Sequence, residues 1–303
     1  MAASNGGAPL VVFDFDKTIV DCDSDNWVVD ALGATSRFDE LLRHLPWNHA
    51  IDAMMGELHS EGKTAEDIRD SLRTAPLSPH VVAAIKTAYA LGCELRILSD
   101  ANAFFIDAIL AHHGLAAYFS GTHTNPAHVD AAGRLRIRPY HEFGAGAHGH
   151  GCALPTCPPN MCKGKVMERI LRQEEEAAAG AASTTKTRRR RTVVYLGDGR
   201  GDYCPSLKLR EGDYVMPRAG HPVCDLIAAS PPAAAVRGWA GFEDLARVLL
   251  GIVDAEIARA AAAAEEDAGA GAGAGVGAVV PADCRTLPAR QEALMPQAVR
   301  VPN

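Results

Sequence analysis

The sequence has no excess of basic charge and no long apolar run, and each absence excludes a class of protein. Its 303 residues include 30 Lys and Arg against 37 Asp and Glu, so the net charge is -7. This balance argues against a general nucleic-acid binder. No uninterrupted apolar stretch reaches the roughly 18 residues of a membrane-spanning helix. The amino terminus, MAASNGGAPL, has neither a cationic start nor an apolar core. We therefore predict no signal peptide, no membrane partner and a cytoplasmic location.

The sequence also lacks the cysteine spacing of common zinc knuckles. Eight cysteines in a long chain without a signal peptide indicate reduced thiols rather than a disulfide framework. Three of them, Cys152, Cys157 and Cys162, recur every five residues, whereas zinc knuckles commonly use C-x2-C. The spacing favours a loop stiffened by proline, and a zinc site stays open as the alternative.

Low-complexity segments divide the chain into a globular part and flexible parts. We predict a flexible amino terminus over 1–9, a surface insert over 174–192 and a flexible Gly/Ala-rich tail over 268–303, after a helix that ends near Asp267. The insert ends in Arg188–Arg191. A nuclear address or an anion-binding patch is possible there, but runs of like charge are most often solvated, so we predict a solvated loop rim.

Strands and helices alternate in the globular part, which predicts an α/β domain with a parallel sheet. The strand patterns are LVVFDF (10–15), CELRILS (93–99), TVVYLGD (192–198) and DYVMPR (213–218). Between the first two strands, apolar residues recur at helical spacing, and the last of these helices has a start signal at Ser78-Pro79. A hairpin is predicted from 122–129 and 134–140, joined through 130–133.

Acidic residues follow the predicted strands at the edge where parallel sheets bind ligands. Asp14 and Asp16 come after the first strand, Ser99 and Asp100 after the second, and Asp198 after the third. A buried carboxylate without a partner costs several kcal/mol, so a cation or a chemical role is expected. Oxygen ligands from Asp14 and Asp198 suit Mg²⁺ beside a phosphate.

Four short motifs resemble those of the haloacid-dehalogenase-like phosphatases, in the same order along residues 10–250. They are DFDKT at 14–18, Ser99 in ILSDAN, Lys163 in NMCKGKV, and Asp198 with Asp202 in GDGRGD. A denser set of matches, including DFDKTIVDCDSD, CPPNMCKGK and YLGDGRGDYCP, resembles the phosphoethanolamine/phosphocholine phosphatase family. That family includes plant members described as pyrophosphate-specific or thiamine-phosphate phosphatases. GDGRGD lacks the full GxGxxG pattern, so no dinucleotide site is expected.

The resemblance implies a fold and a set of catalytic roles. The fold is a Rossmann-like parallel-sheet core of the haloacid-dehalogenase type (10–23 and 88–254), with a helical cap over 24–87 inserted after the first strand. Asp14 is the implied nucleophile and Asp16 the general acid and base. Thr18, Ser99 and Lys163 hold the phosphoryl oxygens, although spacing alone does not distinguish Lys163 from Lys165. The implied ligands of Mg²⁺ are Asp14, the backbone carbonyl of Asp16, and Asp198, supported by Asp202.

The resemblance also implies the kind of substrate. A cap that closes over the site favours a small phosphorylated metabolite. In the family, acids at the positions of Asp25 and Asp100 contact an amine or choline headgroup, which predicts phosphocholine or phosphoethanolamine. Trp27 is either a cation–π face or part of the cap packing.

Other substrates and another class of protein stay open. Pyrophosphate needs basic residues near the leaving phosphate, such as Lys17 or Arg200. Thiamine phosphate and pyridoxal phosphate are further alternatives, and a non-catalytic phosphate-metabolite binding protein is the other class. The sequence leaves the oligomeric state open.

Overall fold

A computed structural model describes residues 7–144, 149–180 and 190–271 of the chain. Six parallel strands form its main sheet, in the order β3-β2-β1-β6-β7-β8, and two antiparallel strands form a separate hairpin. The strands are β1 (Leu10–Phe13), β2 (Glu94–Asn102), β3 (Phe119–Asn125), β4 (Ala127–Val129), β5 (Leu135–Ile137), β6 (Val193–Gly197), β7 (Tyr214–Pro217) and β8 (Ala235–Val236).

The strand order reverses beside β1, at the centre of the sheet. The chain adds β2 and β3 on one side of β1 and β6, β7 and β8 on the other. Every residue of β1 and β6 is buried, because helices cover both faces of a parallel sheet. Phe13 is in register with Ile97 of β2 and Leu196 of β6, so β1 and β6 end near one point, beside which β2 continues to Asn102. Such a switch point is where open α/β sheets bind ligands.

Ten α-helices are present among the described residues, and five of them lie between β1 and β2. These five are α1 (Ser24–Ala31), α2 (Thr35–Leu42), α3 (Trp47–Ser60), α4 (Ala65–Leu72) and α5 (Pro79–Ala90). The others are α6 (Ala103–His112), α7 (Lys163–Gly180), α8 (Tyr203–Ser206), α9 (Pro222–Ala229) and α10 (Phe242–Gly271). Local sequence explains several starts: Thr64 forms a capping box with Asp67, and Ser78 caps α5 ahead of Pro79.

The predicted hairpin is present but shorter than the pattern indicated. Strands β4 and β5 pair antiparallel, with Val129 opposite Leu135. Residues 122–125, predicted as part of the hairpin, instead extend β3 in the main sheet, where Thr122 is in register with Ile97. The hairpin contacts α3, because Asp52 accepts hydrogen bonds from Arg136 and from the backbone of Ile137.

The prediction that the basic run forms a solvated loop rim is wrong for the two arginines that the structure describes. The side chain of Arg190 is 3% exposed and forms an ion pair with Asp213 at 2.6 Å. Arg191 forms one with Glu174 at 2.8 Å. Both side chains therefore attach the start of β6 to its neighbours. Arg188 and Arg189 lie outside the described residues, as does 181–189 of the predicted insert; its first part, up to Gly180, continues α7.

The described carboxyl-terminal residues 264–271 belong to a unit separate from the one that ends at Ala263. Helix α10 extends to Gly271, beyond the predicted end near Asp267. The rest of the predicted tail, 272–303, lies outside the described residues, as do residues 1–6 of the predicted flexible start. No helix in the described ranges is long and apolar enough to cross a membrane.

Candidate active site

The end of β1 places Asp14 at the centre of the switch point. Its backbone N–H donates to the carbonyl of Leu196 in β6, which holds the residue in line with the sheet. Its side chain is 4% exposed. One carboxylate oxygen, Oδ1, accepts the N–H of Phe15 at 2.7 Å, and the other, Oδ2, lies 2.8 Å from Lys163 Nζ. The carboxylate is therefore fixed by its two neighbours.

Lys163 is a buried ammonium surrounded by carboxylates. It is the first residue of α7 and is 1% exposed. Its Nζ lies 2.8 Å from Asp14, 2.8 Å from Asp202 and 3.3 Å from Asp100. The other candidate, Lys165, is exposed. The structure thus places Lys163 at the site, as the resemblance implied.

Asp202 orients Lys163 and is itself fully bonded. Its Oδ1 accepts from Lys163 Nζ and from the hydroxyl of Tyr195 at 2.6 Å, and its Oδ2 accepts the N–H groups of Asp198 and Gly199 at 2.9 and 2.8 Å. A Cβ on Gly197 would lie 2.4 Å from Asp202 Cγ, so only glycine fits at the end of β6. Since four donors use its acceptor capacity, Asp202 supports the site through Lys163.

Asp198 lies beside Asp14, because the two residues follow the neighbouring strands β6 and β1. Its Oδ1 is 3.5 Å from Thr18 Oγ1, and its Oδ2 is 3.1 Å from His221 Nδ1. Oxygens of Asp14, Asp198 and Asp202 all lie within 4.8 Å of one another. Burial is the main reason why the pKa of Asp14 is raised well above its usual value and that of Asp198 to about 6; the Asp202 charge adds to both.

The residues at this point fit a Mg²⁺ ion. The crowded carboxylates have one buried ammonium to balance them, and a divalent cation would supply the missing positive charge. Carboxylate oxygens are the ligands that Mg²⁺ prefers, and it needs only one or two of them besides water and phosphate. Asp14 and Asp198 are the side chains that could bind it, because Asp202 is already saturated.

Asp16 has the environment of a proton donor. Its Oδ2 accepts a hydrogen bond from Ser24 at 3.1 Å, whereas its Oδ1 is inaccessible and has no hydrogen-bond partner in the described part of the chain. Removal of the carboxyl group from water raises its pKa well above the usual value, and the charges of Asp23 and Asp25 raise it further. A raised pKa favours the protonated carboxyl group, which is the form that a general acid needs.

Of the two hydroxyl residues predicted at the site, Thr18 contacts the acidic cluster through Asp198, and Ser99 directly precedes Asp100, which lines the cleft. Thr18 and Ser99 are both 0% exposed. Thr18 follows a turn in which the backbone of Lys17 has a φ of 54°, a conformation that few residues other than glycine adopt. Ser99 lies within β2, which continues through Asp100 to Asn102, and its Oγ accepts the N–H of Ala101 at 3.3 Å.

A cleft of about 560 Å³ opens over Asp14, Asp16, Lys163 and Asp198. Asp25, Asp100 and Trp47 line it, as do the basic residues Lys17 and Arg200. Trp47, which the sequence analysis missed, donates its indole N–H to Asp25 at 2.7 Å. Trp47 follows Asp25 by 22 positions, so no local pattern indicates that the folding of α1–α3 brings the two together.

Trp27 packs within the helical segment instead of forming a face of the cleft. Its indole N–H donates to the carbonyl of Ser71 at 3.1 Å, and its ring packs against the hydrophobic core. The cation–π hypothesis for Trp27 is therefore wrong. Sequence analysis also missed Tyr195, which donates to Asp202 seven positions later, and His221, which contacts Asp198 from the start of α9.

Replacement of Asp25 by asparagine is expected to stabilise the protein, increasingly so as the pH rises from 4 to 8. Burial raises the pKa of Asp25 from 3.8 to about 7, and Asp23 adds to this rise. The folded state therefore holds this proton more tightly than the unfolded state, and stability is lost as the pH rises through this range. Asparagine does not ionise, so we expect the stability of the variant relative to the unchanged protein to rise by about 2–4 kcal/mol between pH 4 and pH 8.

Urea unfolding of the Asp25→Asn variant and of the unchanged protein, both without Mg²⁺, measures this gain. Asp30→Asn is the control, since Asp30 is an exposed carboxylate on the same helix. A stability difference that does not change with pH would contradict a raised pKa for the buried Asp25 carboxyl group.

The family match and the similar curated proteins are all described as phosphatases. Over residues 9–253 the sequence matches the family described as "Putative Phosphatase". It is 51% identical over 243 residues to inorganic pyrophosphatase 1 of Arabidopsis thaliana, covering 80% of this chain and 78% of the relative. It is 34% identical over 239 residues to phosphoethanolamine/phosphocholine phosphatase of Homo sapiens, covering 77% and 82%.

The fold is also found among solved structures. A HAD-family hydrolase from Salmonella enterica superimposes with a TM-score of 0.51 at 14% identity, over 80% of this chain and 72% of that one. This likeness concerns the fold alone and confirms the predicted α/β architecture. With the family match over most of the chain and the two relatives, it leads to one assignment: the chain belongs to this family of haloacid-dehalogenase-like phosphatases.

Proposed function

We propose that this phosphatase uses Mg²⁺ and transfers a phosphoryl group to Asp14 before water removes it. The observation that carries the proposal is the fixed Asp14 carboxylate, 2.8 Å from the buried ammonium of Lys163 and beside Asp16 and Asp198 in an open cleft. Positioning and charge neutralisation are the main sources of catalysis in phosphoryl transfer. A binding protein has no need of a nucleophile, a proton donor and metal acids together.

In the first step, an oxygen of Asp14 attacks phosphorus and the bond from phosphorus to the leaving oxygen breaks. Asp16 donates its proton to that oxygen. In the second step, Asp16 takes a proton from water as the water oxygen attacks phosphorus, and phosphate leaves with Asp14 restored. Lys163, Thr18 and Ser99 hold the phosphoryl oxygens. Mg²⁺ bound by Asp14, Asp198 and the Asp16 carbonyl would offset the repulsion between carboxylate and phosphate.

The acidic character of the cleft favours a phosphate ester whose leaving group is cationic. Asp23, Asp25 and Asp100 line the cleft beyond the nucleophile, and Trp47 offers an aromatic surface beside Asp25. Carboxylates attract an ammonium, and an aromatic face attracts a quaternary one. Phosphoethanolamine and phosphocholine have such a group next to the phosphate, so we propose them as substrates.

Pyrophosphate is the second candidate, and two observations favour it. Lys17 and the exposed Arg200 line the same cleft, where Lys17 lies 4.0 Å from Asp23. These cations could receive a leaving phosphate. The relative that is 51% identical is named an inorganic pyrophosphatase. Thiamine phosphate and pyridoxal phosphate have aromatic leaving groups that Trp47 could contact, but no separate feature favours them.

Two substitutions should change the preference between these substrates in opposite directions. For Asp100→Asn we expect kcat/KM to fall about tenfold more for phosphocholine than for pyrophosphate, because a charge that attracts the amine is lost. For Arg200→Gln we expect about tenfold more loss with pyrophosphate. A tenfold change corresponds to about 1.4 kcal/mol of transition-state stabilisation.

The measurement is Mg²⁺-dependent phosphate release from phosphocholine, phosphoethanolamine and pyrophosphate in parallel. Because Asp100 also contacts Lys163, the ratio between substrates, and not the absolute rate, is the quantity compared. Equal losses on all three substrates would reject Asp100 and Arg200 as residues that select the leaving group. If none of the three substrates releases phosphate, the proposed substrates are rejected.

A further inference from the structure

Four cysteine thiols from separate parts of the sequence converge at one point beside Lys163. Cys152 and Cys157 come from the loop before α7, Cys162 directly precedes α7, and Cys204 lies in α8. The four Sγ atoms all lie within 4.8 Å of one another. Cys204 Sγ is 3.8 Å from the Sγ atoms of both Cys152 and Cys162.

The two 3.8 Å distances between sulfurs match those of a tetrahedral zinc site. A Zn–S bond of about 2.3 Å places the sulfurs of a tetrahedron about 3.8 Å apart. We propose that the four cysteines bind one structural Zn²⁺, a metal site separate from the Asp14–Asp198 site. Four thiols lose their protons to solvent and each forms one bond to zinc, with no change of oxidation state. Four thiolate ligands also exclude hard ions such as Mg²⁺.

The surroundings of the cluster are arranged around its sulfurs. The backbone N–H of Lys165 points to Cys162 Sγ at 3.4 Å, a hydrogen bond that a thiolate strengthens. Gly164 makes room for the cluster, since a Cβ there would lie 2.3 Å from Cys204 Sγ. His150 fixes the loop, because its Nδ1 accepts the N–H of Cys152 at 3.1 Å.

A disulfide explains this arrangement less well. It would bond two of the sulfurs and leave the other two packed against it, whereas all four lie within 4.8 Å of one another. A zinc ion would use every sulfur equally. The sequence spacing concealed the site, because the fourth ligand follows Cys162 by 42 residues.

The zinc site would connect two segments that carry the catalytic cluster. Cys162 is adjacent to Lys163, and Cys204 follows Asp202 by two positions, so zinc would hold together the backbone on both sides of the 2.8 Å contact from Lys163 to Asp202. It would also fix the loop from which Pro158 and Asn160 line the cleft. Its role is structural, because the four cysteines complete a tetrahedron and leave no open position.

Metal analysis of the purified full-length protein tests this proposal. We expect one zinc per chain by inductively coupled plasma mass spectrometry. After exchange of zinc for Co²⁺, we expect the intense visible absorption of a tetrahedral cobalt–thiolate centre. In the Cys157→Ser variant, zinc should fall well below one per chain. The matched control is Cys224→Ser, a half-buried thiol outside the cluster that donates to the carbonyl of Arg218; it should retain its zinc.

The zinc content and the cobalt spectrum of the unchanged protein decide the question even if a variant fails to fold. A reduced protein that contains no zinc and binds no Co²⁺ would overturn the proposal. So would an intact mass lower by two hydrogen atoms together with a disulfide mapped within the cluster. Neither readout depends on catalytic turnover, so failure of the proposed substrate leaves this test unaffected.

Discussion

Asp14→Asn should lower turnover by about 10⁴-fold or more, since loss of the nucleophile removes the covalent route altogether. An amide oxygen is a poor nucleophile and cannot form the aspartyl-phosphate. The change keeps the shape of the side chain and its hydrogen bond to the N–H of Phe15. Lys163 keeps Asp202 and Asp100 as partners, so the fold should persist.

Phosphate release and covalent labelling together measure this effect. The unchanged protein, quenched in acid after brief exposure to substrate with a radioactive phosphoryl group, should carry label on Asp14, and the variant should carry none. Circular dichroism and the melting temperature serve as controls for folding. Turnover within a factor of ten of the unchanged protein, with a native melting curve, would disprove the assignment of Asp14 as nucleophile.

Asp202→Asn should destabilise the protein by about 3 kcal/mol and strongly reduce activity as well. Asp202 accepts four hydrogen bonds with two oxygens, two from Lys163 and Tyr195 and two from backbone N–H groups. An asparagine has one acceptor oxygen, so its amide would face two donors and leave them unpaired. Each unpaired buried donor costs about 1–3 kcal/mol, and loss of one partner of a buried ion pair is costly as well.

Urea unfolding of Asp202→Asn and Tyr195→Phe separates the two contributions. Tyr195→Phe removes one donor to Asp202 and leaves the carboxylate bonded to Lys163, so we expect a loss of only about 1 kcal/mol. If Asp202→Asn costs no more than Tyr195→Phe, the buried contact between Asp202 and Lys163 does not support the fold as described.

The strands were the most predictable part of the fold, because buried parallel strands are nearly continuous apolar runs. LVVF and VVYLG form β1 and β6, close to the patterns that predicted them. Strands β3 and β8 were missed as separate elements. Strand β3 carries polar residues such as Ser120, Thr122 and Thr124, so its sequence resembles an exposed hairpin arm. Its pairing with β2, and not its composition, determines its place.

The acidic residues of the site were recognisable before the fold was known. Asp14, Asp16 and Asp198 each follow an apolar strand, and parallel strands end at a common edge. The sequence therefore determined which strand ends bring acidic residues together, and the family resemblance supplied the proposed roles. Local order along the chain is enough for such an inference, because neither step requires a contact between distant side chains.

Contacts between distant segments were decided only by the tertiary structure. Trp47 instead of Trp27 lines the cleft, because the packing of α1–α3 sets the direction of both rings. Cys204 joins the three earlier cysteines because α8 lies against the start of α7. Periodicity and spacing report only neighbours along the chain, whereas burial and distance between segments depend on how the helices pack on the sheet.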